Sequence, residues 1–124
     1  MGTFGASIAN YAKLTNLSLN DAAVAVCTQA SVNIIKKTPV DTGRARGAWF
    51  ASINDMSSEV SETRSENEAI ISATMTAQKA GGAVFTLTNN LPYIVGLEYG
   101  RSKQSPAGMV RFTVEEINND LRKM

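Results

Sequence analysis

The sequence predicts an α+β fold: a small antiparallel sheet with a long helix in the N-terminal half, a middle helix and a C-terminal helix packed on it. Three observations carry this expectation. Apolar residues recur at helical spacing over residues 19–37 and again over 110–121, while residues 48–53 and 83–88 alternate side chains as half-buried strands do. With 124 residues, 44% hydrophobic and 19% charged, the chain is expected to fold as a single globular unit, residues 1–124, around one core.

A short helix is expected over residues 4–14, through Phe4, Ile8, Tyr11 and Ala12. The long helix follows, with Leu19, Ala23, Val26, Ala30 and Ile34 along one face. Ser18 is placed to cap it, Asp21 suits the positive end of its dipole, Lys36 and Lys37 suit the negative end, and Pro39 stops it. The first strand puts Trp49, Ala51 and Ile53 on one side. Residues 54–63 are polar and serine-rich, a flexible connection. Residues 65–79 fit two patterns: Ile71, Ala73, Met75 and Ala77 alternate as in a strand, while Ile70, Ala73 and Ala77 share a helical face. The capping-box spacing of Ser65 and Glu68 and the stop at Gly81-Gly82 decide for helix. Ala83, Phe85 and Leu87 then mark the second strand. The last helix is expected to begin at Ser105-Pro106, with Val110, Val114, Ile117 and Leu121 toward the core. Phe112 falls roughly opposite that stripe and is expected to face another chain.

Little in the composition points to catalysis. Histidine is absent, which removes the commonest general base and metal ligand, and no cysteine or carboxylate cluster has metal-site spacing. No enzyme activity, cofactor or metal is expected. The single cysteine, Cys27, cannot form an intrachain disulfide and reads as a small core residue. A formal net charge of +1 lacks the excess that nucleic-acid binders carry, and no apolar run is long enough for a membrane span. Glu59, Glu62, Glu66 and Glu68 read as a solvated acidic face.

Two segments stand apart from this ordinary background. In "TPVDTGRARGAWFASI", residues 38–53, Asp41 and Thr42 can bond local amides, Gly43 permits a positive backbone angle, and Arg44 and Arg46 leave the turn as long cationic arms. In "TNNLPYIVGLEYGRSKQSPAGMVRFTVEEI", residues 88–117, asparagine, proline and tyrosine give way to a polar loop. Together, in this order and separation, they resemble the tail-completion or neck proteins of tailed bacteriophages, the group that includes the lambda Z-like minor tail proteins. The first motif rests on Pro39, Asp41, Thr42, Gly43, Arg44 and Arg46, and the second on Asn89, Asn90, Pro92, Tyr93, Glu98, Gly100, Ser102, Gln104, Pro106, Ala107 and Gly108.

The resemblance implies a small α+β structural protein of the virion, assembled in the host cytoplasm, with no enzyme activity. It implies a homo-oligomeric ring at the head-tail junction. The partners would be head-completion or connector proteins on one side and tail terminator or tail tube proteins on the other, with genomic DNA passing through without sequence-specific contact. Candidate subunit or partner contacts are Asp41, Thr42, Gly43, Arg44 and Arg46 in the first motif, and Tyr93, Glu98, Tyr99, Arg101, Lys103, Gln104 and Phe112 in or beside the second. Arg44 and Arg46 are expected at a subunit interface or the channel lumen, against the alternative that the segment is only the helix-to-strand turn of a monomer. Tyr93 and Glu98 are expected to hold the segment against its own sheet, leaving the polar middle to a neighbour. A different class stays open: a small nucleic-acid-binding regulator, which requires Arg44, Arg46, Arg101 and Lys103 to converge on one face.

Overall fold

The computed structural model describes residues 2–39, 45–61, 63–80, 83–92, 94–99 and 108–122. Among these the order is α1 (Gly2–Thr15), α2 (Leu19–Lys37), a 3-10 turn (Arg46–Ala48), β1 (Trp49–Ile53), α3 (Glu66–Ala80), β2 (Phe85–Asn89), α4 (Ile94–Glu98) and α5 (Met109–Arg122). The strands pair antiparallel, from Trp49 opposite Asn89 to Ile53 opposite Phe85. This is the expected α+β class. Its one unforeseen helix is α4, which sits inside the segment expected to be a loop.

Helix α2 is the axis of the molecule, touching α1, α3, α5 and the 3-10 turn. Ser18 Oγ accepts from the Asp21 N–H at 3.0 Å, so the predicted cap is made. At the other end Thr38 turns out of the helix with ψ 129°, as steric conflict with a following proline demands, while its N–H still reaches the Ile34 and Ile35 carbonyls. Asn16, at φ 59°, closes α1: the Leu17 N–H reaches back to the Ala12 carbonyl at 2.9 Å.

The expected apolar stripe of α2 needs correction. Val26 and Ile34 are buried, but Leu19 is 60% exposed, and Ala22, Ser31 and Ile35 are buried off that stripe. A helix with neighbours on three sides buries more than one face, so a single periodic line understates its interior.

Helix α3 starts as predicted, with the Glu68 N–H donating to Ser65 Oγ at 3.1 Å. The proposed stop at Gly81 and Gly82 lies outside the described residues. Ala69, Ala73, Ala77 and Ala80 are buried on the side facing α2 and the sheet, whereas Ile71 and Met75 face outward. Small side chains let the helix approach closely. The chain just ahead of α3 also crosses the 3-10 turn so tightly that a Cβ on Gly47 would overlap the Arg64 carbonyl.

The main core gathers Ile34, Ile35, Trp49, Ala69, Ala73 and Met109, with Ala51, Leu87 and Ile94 against it. A second cluster, Val26, Ile117 and Leu121, joins α2 to α5 beside Ile8 and Tyr11 of α1. At the junction between helix and sheet, the Trp49 indole N–H donates to Thr38 Oγ1 at 2.9 Å, and that hydroxyl donates to the Ile34 carbonyl at 2.7 Å.

Helix α5 corrects two expectations. It begins at Met109 rather than at 105–106, and Gly108 before it has φ 81°, which no continuing helix can contain. Its buried line is Met109, Thr113, Ile117 and Leu121, while Val114 is 40% exposed. Hydrophobicity favoured Val114; the geometry of the neighbours selects Thr113, whose hydroxyl is buried with no hydrogen-bond partner among the described residues.

Two isosteric substitutions are expected to move stability in opposite directions. Thr113→Val removes an unpaired buried hydroxyl and should stabilise by about 1 kcal/mol, whereas Thr38→Val strands the Trp49 N–H and should cost about 1–3 kcal/mol. Denaturant midpoints check both; equal shifts for the pair would contradict this account.

Candidate subunit-contact site

The two sequence motifs meet in space. Asn89 lies opposite Trp49 in the sheet, its Nδ2–H donates to the Ala45 carbonyl at 3.1 Å, and its Oδ1 accepts the Leu91 N–H at 3.1 Å. Leu91 then packs with Ala45 and Ala48. One amide side chain thus ties the second motif to the first. Asn90 Nδ2 donates to the Ser57 and Glu59 carbonyls at 2.8 and 3.2 Å, so the serine-rich connection, irregular in backbone, is tethered rather than loose.

Arg46 reaches a carboxylate, as a cationic arm of the first motif can, and the carboxylate belongs to its own subunit. Its Nε donates to the Thr38 carbonyl at 2.7 Å and its Nη1 pairs with Glu66 Oε1 at 2.9 Å. These bonds fold the guanidinium back to brace the exit of α2 against the start of α3. Arg64 acts similarly on the next layer: its Nη1 donates to the Trp49 carbonyl at 3.0 Å, and its guanidinium stacks 4.3 Å above the Phe50 ring.

Glu98 departs from expectation, because it holds the last helix and not the sheet. Its Oε1 accepts the Val110 N–H at 2.8 Å, and its Oε2 accepts the Arg111 N–H at 3.0 Å and the Arg111 Nε–H at 2.8 Å. Arg111 Nη2 donates to the Glu98 carbonyl as well. A carboxylate suits this place, since the first amides of a helix have no partner within it and carry the positive end of its dipole. Gly108 makes room: a Cβ there would collide with the Glu98 carbonyl and lie 2.7 Å from Oε2, on a backbone already at positive φ.

Beside this clasp Tyr99 is 70% exposed, with the Arg111 guanidinium 4.8 Å from its ring. Phe112 is partly exposed, off the buried line of α5 as expected, and carries Lys37 Nζ 5.2 Å over its ring while Lys37 pairs with Glu116 at 3.2 Å. Among the remaining candidates, Asp41, Thr42, Gly43, Arg44, Tyr93, Arg101, Lys103 and Gln104 lie outside the described residues.

The described residues contain no group of three histidine, cysteine or acidic side chains placed to hold a metal ion. Cys27 is half-buried, and that burial pushes its thiol pKa up, away from the reactive thiolate. No helix among the described residues is long and apolar enough to cross a membrane. The polar contacts of the site are ion pairs, amide bridges and cation-aromatic stacks within the chain. Comparison with protein-family models, curated proteins and solved structures finds no match to this chain.

Sequence reasoning missed the helix-capping role of Glu98 and the bridging role of Asn89. At Asn89 only the turn had a local signal, since its Oδ1 accepts from an amide two residues on; the bond to the Ala45 carbonyl, 44 residues away in sequence, had none. The cap supplied by Glu98 had none either, since its partners lie 12 and 13 residues further on.

Gly108→Ala is expected to cost about 2 kcal/mol or more through left-handed strain and displacement of Glu98. Chemical denaturation measures this, and an unchanged midpoint would contradict the tight fit at the clasp.

Proposed function

We propose that this chain is a structural virion subunit of a tailed bacteriophage that forms a ring at the head-tail junction, joining tail to head around the DNA channel. The observation that carries the reading is the ordered pair of motifs, residues 38–53 and 88–117, and their resemblance to neck and tail-completion proteins. What supports it further is that described parts of both motifs form one braced unit, through the Asn89 bridge to Ala45, the Leu91 packing and the paired strands.

Such a subunit works by shape and adhesion. Rings close when one surface of each copy meets a different surface on the next, and modest contacts repeated around the ring sum to a strong joint. Tyr99 and Phe112, both exposed, are the described aromatic candidates for contacts of this kind. A lumen that lets DNA slide needs no strong excess of positive charge, which agrees with a formal net charge of +1. The rival reading, a nucleic-acid-binding regulator, is weakened by Arg46, one of the four cations it needs, because that side chain is bonded within its own subunit.

Particles assembled without this protein are expected to accumulate as filled heads and complete tails that remain separate, visible by negative-stain microscopy. Normal joined particles in its absence would remove the proposal. A gel-shift titration supplies the contrast with the rival: weak DNA binding is expected, whereas tight binding with a steep salt slope would favour the regulator.

A further inference from the structure

Helix α1 is held to the rest of the chain by a thin seam. Of its described side chains, residues 8–15, only Ala12 is buried, while Ile8 and Tyr11 pack half-covered against Val26, Ile117 and Leu121. A cleft of ≈ 290 Å³ stays open between Tyr11 of α1, Val26 of α2 and Ile117 and Leu121 of α5. The connection that folds α1 back is three residues long and depends on Asn16 at φ 59°, a backbone conformation that no helix contains, and on the Ser18 cap of α2. Around it Leu14, Leu17 and Leu19 are all exposed. The apolar pattern nevertheless ignores this turn. Ile8, Ala12, Thr15, Leu19, Ala22 and Val26 follow one another at steps of four, three, four, three and four, the spacing of one uninterrupted helix stripe. Five of the six are buried or half-buried, and Leu19, just past the fold-back, is the exception.

We propose that α1 is an exchangeable arm. Asn16 passes to the ordinary helical conformation, α1 and α2 become one helix, and α1 leaves its seat on α2 and α5 to occupy the same seat on a second copy of the chain, which returns its own. The structure fixes the occupant, since the seat is seen filled by this segment and the exchange reuses the contacts of Ile8 and Tyr11 without any new complementary surface. Straightened, α1 projects about 20 Å beyond the start of α2, too far to lie on its own α5. Opening removes the positive φ at Asn16 and loses the Ser18 cap, two small effects of opposite sign. Two straightened helices that cross at their hinges also take the exposed leucines out of water, which a single folded-back chain does not. The exchange goes beyond the neck reading and does not depend on it.

The test refolds the full chain over a range of concentrations and reads the dimer fraction by analytical ultracentrifugation. Asn16→Ala disfavours the positive φ and suits a helix interior, whereas Asn16→Gly does the reverse. With two hinges in each dimer, the first should tighten dimerisation about tenfold or more and the second weaken it about tenfold. Equal dimerisation in the two variants, or shifts in the same direction, would overturn the exchange. So would a wild-type chain and an Asn16→Ala chain that both stay monomeric at the highest concentration. Cross-linking reads the placement of α1. In a Cys27→Ser background, copies with Tyr11→Cys are refolded together with copies carrying Asp120→Cys and treated with a short bis-maleimide. Tyr11 and Asp120 line the same cleft, so a cross-linked pair of unlike copies is expected, in higher yield with Asn16→Ala added. Dimers that do not give that product would place their contact elsewhere and overturn the proposal.

Discussion

The structure depends on Thr38. As the residue before Pro39 it must leave the helix, and in leaving it turns its hydroxyl into the core and its carbonyl toward the motif that follows. The hydroxyl accepts from Trp49 and donates to Ile34, so the largest core side chain is tied to the last turn of the central helix. The carbonyl accepts from Arg46, which reaches on to Glu66 at the start of α3. Helix exit, sheet origin and middle helix are thereby registered to one threonine. All the bonded groups are buried or half-buried, where an unmet hydrogen bond costs more than a met one contributes.

This junction explains why a two-stranded sheet suffices. An isolated hairpin is marginal in water, but here one face lies on α3 and α2 through Trp49, Ala51 and Leu87. The opposite side is braced by Arg64, stacked on Phe50 and bonded to the Trp49 carbonyl. Asn89 and Asn90 extend the bracing past the end of the second strand, one to the 3-10 region and one to the irregular chain beyond β1. The sheet is thus less a stable unit in itself than a splint between better-packed parts.

Much of the fold was legible because its signals are local. Ser18, Ser65 and Pro39 announce helix ends through bonds and clashes that span a few residues, and both strands show in the alternation around Trp49 and Leu87. The failures share a different cause. Leu19 was assigned inward and Ile35 overlooked because the burial of α2 is set by three neighbours that periodicity cannot see. Thr113 lost to Val114 because hydropathy ranks side chains and not positions. Arg46 and Glu98 were assigned outward-looking or sheet-holding roles, since their charges are visible in the sequence while Glu66 and the amides of α5 become neighbours only after folding. For the described charged candidates, then, the side chains were visible in the sequence and their partners within the chain were not.

The alanine face of α3 has a consequence for how this protein can change. Ala69, Ala73 and Ala77 act as spacers of fixed thickness between the middle helix and the rest of the core. A single added methyl group there has nowhere to go without a matching reduction in a facing residue such as Ile35 or Trp49. Drift in this region should therefore proceed in compensated pairs, leaving a signature of covariation across the interface where the outward side, with Ile71 and Met75, varies one residue at a time.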